Sequence, residues 1–177
     1  MELLIALNNK SIKAIEKREI IINALEEKNI TIREIEGLRH KTDRKKAAII
    51  FGAIEAVTNL DAQIATVEWL HLAVEHILSA SNSIKREAAR IVGNLCHRFP
   101  DDLEKAIEGL LLNSKDQGTV VRWSSAYALS RIIVIPQYAK SRLFDTLAEI
   151  CECEQDNGIK KQYEKALKKA SKIRGSA

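Results

Sequence analysis

The sequence predicts an all-α protein, an α-solenoid of about four antiparallel helix pairs. First, its 177 residues include only two prolines and seven glycines, and few turn-forming residues favour long helices with short connections. Second, apolar residues recur every three to four positions along most of the chain. Third, one segment recurs four times at a period typical of two-helix repeats. Each helix pair in such an array buries its apolar face against its neighbours.

The recurring segment opens with a basic residue, continues with small residues, and ends in an apolar pair. Its first three copies read RKKAAIIFGAI, KREAARIVGNL and RWSSAYALSRI, and the fourth, weaker copy reads KKQYEKALKKA. The four copies begin 41, 37 and 38 residues apart, at Arg44, Lys85, Arg122 and Lys160. In the fourth copy, Tyr163 and Glu164 stand where small residues are usual.

This segment resembles the second helix of a HEAT repeat, which typically has a Val-Arg pair, then alanines, then Leu-Gly. The matching residues are Val121-Arg122, Ala126, Ala128-Leu129 and Ser130 in one copy, and Ile84-Lys85, Ala88-Ala89 and Val92-Gly93 in another. With the partner helices, the resemblance covers roughly residues 41–174. It implies that second helices line a concave face, and that each leading basic residue makes polar contacts between repeats.

We interpret residues 1–177 as a single HEAT-like domain. Residues 1–40 form an irregular first repeat or N-terminal cap, residues 41–156 the repeats, and residues 157–177 a lysine-rich capping helix. This last segment has seven basic residues and one acid, so the rest of the chain is close to −2 although the whole carries +4. Asp61 is predicted to cap a helix reaching about Ala80, and Pro100 and Pro136 to open the next two first helices.

Helix geometry places Arg86, Arg90 and Asn94 opposite the apolar side of their helix. The same positions in all copies define three columns across the second-helix face, with no acid in any of them. The columns are Lys45, Arg86, Trp123, Lys161; Ile49, Arg90, Tyr127, Lys165; and Ala53, Asn94, Arg131, Lys169.

From these columns we select the predicted partner-binding residues Arg86, Arg90, Trp123, Tyr127, Arg131, Lys161 and Lys165. One interpretation is a groove for an acidic peptide, an acidic protein or a phosphate backbone, because Trp and Arg often anchor interfaces. The other is that the cations simply solvate an exposed helix face, with Trp123 folded against its neighbours.

Signs of catalysis are weak, and we predict no catalytic residue, no metal site and no cofactor. The sequence has no glycine-rich phosphate loop, nucleophile elbow or CxxC pair. Glu68 and His71 have the spacing of a di-metal ligand pair, but no second pair accompanies them. The cysteines are expected to be reduced thiols, with Cys151 in the core and Cys153 exposed or half-exposed.

The leading hypothesis is a non-catalytic, cytoplasmic interaction module that binds an acidic or amphipathic protein segment. No apolar run reaches the ~20 residues that span a bilayer, so no membrane is expected. The alternative is nucleic-acid binding through the same basic groove. HEAT-like DNA glycosylases and bilin lyases share the resemblance, but no residue here identifies either active site. The pattern indicates neither a particular partner nor an oligomeric state.

Overall fold

The computed structural model describes residues 2–176, and all regular secondary structure in that range is helical. Two single 3₁₀ turns, Ala62–Ile64 and Pro100–Asp102, accompany the α-helices. The α-helices are α1 Glu2–Asn8, α2 Ala14–Glu26, α3 Ile32–His40, α4 Arg44–Leu60, α5 Val67–His76, α6 Asn82–Leu95, α7 Glu104–Asn113, α8 Thr119–Ile132, α9 Pro136–Ala139, α10 Leu143–Cys153 and α11 Asn157–Gly175. The predicted all-α class is confirmed.

Polar side chains fix where several helices begin. Thr31 accepts a hydrogen bond from the backbone of Glu34, whose carboxylate accepts one from the Thr31 backbone 2.8 Å away. Asp43 accepts from the backbone of Lys46 at 3.0 Å. Asp156 accepts from two backbone N–H groups at the start of α11. These caps satisfy N–H groups that have no partner within the helix.

The helices of the recurring segment pack against one another in chain order. The sequence α2, α4, α6, α8 and α11 forms a continuous series of packed neighbours, while α5 packs on α6, α7 on α8, and α10 on α11. Small residues allow the close approach of α6 and α8. A Cβ on Gly93 would lie 2.7 Å from the Tyr127 ring and 3.2 Å from the Ala128 Cα.

Three first helices differ from their predicted bounds. Pro100 opens only the 3₁₀ turn Pro100–Asp102, and α7 begins at Glu104. Asp61 caps only the other 3₁₀ turn, the chain is extended at Ala65, and α5 ends at His76 rather than near Ala80. Arg98 stabilises this break, because its Nε donates to the Ala65 carbonyl at 3.0 Å. The helix predicted to open at Pro136 ends at Ala139, and a new helix, α10, begins at Leu143.

Ion pairs join successive copies of the recurring segment at their turns. Lys85 pairs with Asp116 at 2.7 Å, and Arg122 pairs with Glu154 at 3.0 Å. Each acid lies six residues before the leading basic residue of its own copy, and each also accepts a backbone N–H two residues later. The equivalent position for Arg44 is Ser79, which makes the same backbone contact but carries no charge. The contacts between repeats that the resemblance implies therefore occur for two of the four leading residues. Within residues 2–176, Arg44 and Lys160 form no ion pair.

The core contains two of the three cysteines. Cys96 and Cys151 are buried and Cys153 is exposed, and all three are free thiols. Burial raises the pKa of Cys96 to about 11. The predicted placement of Cys151 and Cys153 is confirmed.

Between residues 2 and 176, none of the helices has the length and apolar character needed to cross a membrane.

Candidate interaction surface

Arginine and glutamate side chains form an ion-paired cluster where α2, α4 and α6 meet. Arg90 lies 2.7 Å from one oxygen of Glu55, and Arg18 lies 3.7 Å from the other. Arg86 pairs with the adjacent Glu87, which lies 3.7 Å from Arg90. The side chains of Glu55 and Glu87 are only 4% and 7% exposed. We call these five residues the arginine–glutamate cluster.

The absence of acids from the predicted columns does not describe the charge of the α4–α6 part of the face. Glu55 and Glu87 do not lie in the predicted columns, but they sit beneath the arginines and neutralise them. A sequence signal existed for one of them, since Glu55 is the only charged residue in the stretch from Ala47 to Leu60. A lone charge in so apolar a helix is typically buried with a partner.

The third predicted column is also partly wrong, because Ala53 and Asn94 are buried rather than exposed. Asn94 links three helices. The Tyr127 hydroxyl donates to its Oδ1 at 2.6 Å, and its Nδ2 donates to Thr58 Oγ1 at 3.1 Å. Buried amides need such partners, since an unsatisfied one costs free energy. Neighbouring helices thus remove from solvent two positions that one helix alone leaves exposed.

The α8 part of the face presents an aromatic strip, which we define as Trp123, Tyr127 and Arg131. Trp123 is 42% exposed, and its ring stacks on Tyr127 with centroids 6.1 Å apart and planes 12° apart. The Arg131 guanidinium lies 5.3 Å from the Tyr127 ring centroid, and its Nε donates to the Gly93 carbonyl at 2.8 Å. Burial raises the pKa of Tyr127, so this residue stays a neutral hydrogen-bond donor.

The predicted lysines lie one repeat further, on the neighbouring helix α11. Lys161 and Lys165 are exposed, and neither forms an ion pair with any residue between 2 and 176. Arg131 is likewise without a carboxylate partner in this range. The seven predicted residues therefore occupy two settings. Arg86 and Arg90 are neutralised by glutamates. The other five lie in the aromatic strip or on α11, and the cations among them have no ion-pair partner in residues 2–176: Trp123, Tyr127, Arg131, Lys161 and Lys165.

The pKa shifts at the ionic contacts have two directions. Burial raises the pKa of Glu55, although Arg90 opposes that effect. The hydrogen bond from Lys85 lowers the pKa of Asp116. Burial alone would raise the pKa of Glu154, but its hydrogen bonds with Arg122 and the Asp156 backbone outweigh burial and lower it. The ion pairs at the turns therefore favour ionised carboxylates, whereas the buried position of Glu55 favours its protonated form.

Potential metal ligands are dispersed in the part of the chain that the structure describes, with no group of three or more His, Cys, Asp or Glu placed to hold an ion. His71, singled out for its spacing from Glu68, instead lies 3.9 Å from Asp102. Glu68 accepts a hydrogen bond from Thr66.

A second concavity, which we call the outer cleft, opens between α7 and α10 on the first-helix side. Its volume is about 600 Å³. Leu111, Leu112 and Ile150 supply apolar walls, and Cys153 lies among the lining residues. Sequence reasoning missed this cleft, because it depends on where α10 restarts after the break at residues 140–142.

Comparisons with known proteins address the fold alone. No protein family and no curated protein matches the sequence. Among solved structures, the chain is similar to the crystal structure of an engineered protein determined by the Northeast Structural Genomics Consortium. The TM-score is 0.57 at 13% sequence identity, over 97% of this chain and 96% of that one. The helical arrangement therefore occurs in an experimental structure, and at this identity the likeness carries no information about function.

Proposed function

We propose that this chain is a non-catalytic interaction module, a HEAT-like α-solenoid whose second-helix face binds an acidic protein segment. Support for the solenoid comes from the series α2, α4, α6, α8 and α11, whose members pack in chain order. Further support comes from the turn contacts of Ser79, Asp116 and Glu154, which recur at offsets of 37 and 38 residues. Contacts that repeat with the sequence period are what a stacked array requires.

The observation that carries the binding proposal is the exposed aromatic strip beside unpaired cations. Trp123 offers a flat apolar surface, already ordered by stacking on Tyr127, so that binding immobilises little additional side-chain motion. Arg131 on the same helix and Lys161 and Lys165 on the neighbouring helix α11 add cations that form no ion pair with a carboxylate in residues 2–176. An acidic segment with one or two large apolar side chains complements both features.

Nucleic acid is the rival partner, because the same unpaired lysines could neutralise phosphates. The arginine–glutamate cluster weighs against it, since Arg86 and Arg90 are occupied by carboxylates and the basic area is correspondingly smaller. Tight phosphate-backbone binding generally uses several cations at once. A short acidic protein segment fits the remaining patch better.

The test uses Trp123 as its own reporter. Trp69 is the second tryptophan and is buried, so a Trp69→Phe background isolates the fluorescence of Trp123. An acetylated amphipathic peptide with Glu on one face and Leu and Phe on the other is titrated in. We expect reduced acrylamide quenching of Trp123. Affinity should fall roughly tenfold in Lys161→Gln/Lys165→Gln, but not in the matched variant Lys41→Gln/Lys105→Gln.

Labelled duplex DNA forms the second arm of the same experiment. If DNA protects Trp123 with an affinity that falls steeply with salt, and the acidic peptide does not bind, the nucleic-acid alternative replaces the proposal. If neither probe alters the quenching of Trp123, the face has no role in binding an anionic partner.

A further inference from the structure

The outer cleft is a gap in the layer of first helices. In that layer α3 packs on α5 and α5 on α7, whereas α7 and α10 do not pack in the same way. The chain between them turns aside at α9, whose Tyr138 hydroxyl donates to the Pro100 carbonyl at 2.6 Å. α10 therefore starts away from α7, and the space of about 600 Å³ between them has the size of a typical ligand pocket.

The cleft exposes apolar surface on both of its walls. Leu112 is 63% exposed at its edge, and Leu111 and Ile150 are only partly buried. Apolar area in contact with water raises the free energy relative to its burial. A partner that covers this surface recovers that free energy, and exposed apolar concavities often mark such sites.

Acidic residues flank the apolar walls on both sides. Glu108 on α7 and Glu149 on α10 line the cleft, are exposed, and have no ion-pair partner among residues 2–176. Glu154 also lines it but is held by Arg122. From Leu143 to Ile159 the sequence contains no lysine or arginine. Lys115 is the one exposed cation among the lining residues that the structure describes.

We propose that the outer cleft is a second docking site, for an amphipathic helix of a partner protein with leucine-sized side chains on one face and lysine or arginine on its flanks. The apolar side chains enter between α7 and α10, as in other helix-in-groove complexes. The flanking cations meet Glu108 and Glu149. This preference is opposite in charge to that of the second-helix face, and it holds whether or not that face binds an acidic segment.

Cys153 provides a reporter for this site. It is the exposed thiol of the three and lines the cleft, while burial raises the pKa values of Cys96 and Cys151 and slows their reaction. The probe is a 14-residue helical peptide of leucine and lysine. Mass spectrometry follows the alkylation of Cys153 by iodoacetamide. We expect a saturating concentration of this peptide to slow the alkylation at least fivefold, and the counterpart with glutamate for lysine to leave the rate unchanged.

Matched variants separate the cleft from nonspecific peptide binding. Leu112→Asp should abolish protection, whereas Leu60→Asp, at a leucine 78% exposed near the end of α4, should retain it. Glu108→Gln/Glu149→Gln should weaken the peptide roughly fivefold, as expected for two exposed ion pairs. Because all four side chains are exposed, circular dichroism should show unchanged folding.

Three results would overturn the proposal. Equal protection by the acidic peptide would remove the charge preference. Protection that persists in Leu112→Asp would place the peptide elsewhere. Protection that grows with protein concentration in the absence of peptide would assign the cleft to a second copy of this chain.

Discussion

The α4–α6 and α8–α11 parts of the second-helix face both contain predicted cations, but only those of the α4–α6 part are paired with buried carboxylates. Arg86 and Arg90 neutralise carboxylates that are almost fully buried. Lys161 and Lys165 occupy the equivalent positions 75 residues later and have no carboxylate partner between residues 2 and 176. A column of basic residues in a repeat sequence therefore does not show how much unpaired charge the surface carries. That depends on where the acidic residues of the neighbouring helices lie.

The largest expected effect comes from the neutralised part. Arg90→Met removes the cation 2.7 Å from a buried Glu55 oxygen, leaving only Arg18 at 3.7 Å. Breaking a buried pair costs about 3 to 5 kcal/mol, and the partial exposure of Arg90 reduces our expectation to about 2 to 3 kcal/mol. Urea unfolding measures it. Lys165→Met, at the equivalent exposed position, should stay within about 0.5 kcal/mol of the wild type. Equal losses in both variants would break the comparison.

The next largest effect is expected at Gly93, where α6 of the α4–α6 part packs closely on α8 of the α8–α11 part. Gly93→Ala places a Cβ 2.7 Å from the Tyr127 ring and 3.2 Å from the Ala128 backbone, so overpacking should cost about 1 to 3 kcal/mol. Gly52 is the equivalent residue one copy earlier, and its nearest contact would be Arg18 at 3.5 Å. Gly52→Ala should therefore be neutral or stabilise by up to about 1 kcal/mol. Thermal unfolding measures both variants. The midpoint of Gly93→Ala should fall and that of Gly52→Ala should stay unchanged or rise, and equal falls would contradict the close approach at Gly93.

A pH series separates the buried cluster from the ion pairs at the turns. Because the pKa of Glu55 is raised, its protonated form favours the folded state. Wild type should therefore lose stability relative to Glu55→Gln as pH rises above about 4.5, through the folded pKa. Because the pKa of Asp116 is lowered, wild type should hold a constant advantage over Asp116→Asn above about pH 3.8 and lose it at lower pH. Slopes of the same sign would contradict the assigned causes.

The sequence predicted features that depend on a single helix and missed features that depend on contacts between distant helices. Periodicity within single helices predicted the all-α class, and the resemblance to HEAT repeats implied that leading basic residues such as Lys85 and Arg122 make contacts between copies. The acids beneath Arg90 were not predicted, since Glu55 lies 35 residues away on another helix. The break before α5 was also missed, because Arg98 stabilises it from a distant segment.

The smallest expected effect on folding lies in the aromatic strip. Trp123 is 42% exposed, so Trp123→Ala removes its stacking on Tyr127 and part of its buried apolar surface, and should change the free energy of unfolding by less than about 2 kcal/mol. Its affinity for the acidic peptide should nevertheless fall roughly tenfold, as for an aromatic anchor of an interface. A large loss of stability would make Trp123 a structural residue instead.

The most direct test of the whole account compares two matched double variants in one pair of assays. Arg86→Gln/Arg90→Gln and Lys161→Gln/Lys165→Gln each remove two cations at equivalent positions, and both are measured for the free energy of unfolding and for acidic-peptide affinity by anisotropy. We predict that the arginine variant loses about 2 kcal/mol or more of stability. The lysine variant should keep its stability and lose roughly tenfold in affinity. The opposite result would contradict this account: unchanged affinity in the lysine variant, together with unchanged stability and reduced affinity in the arginine variant.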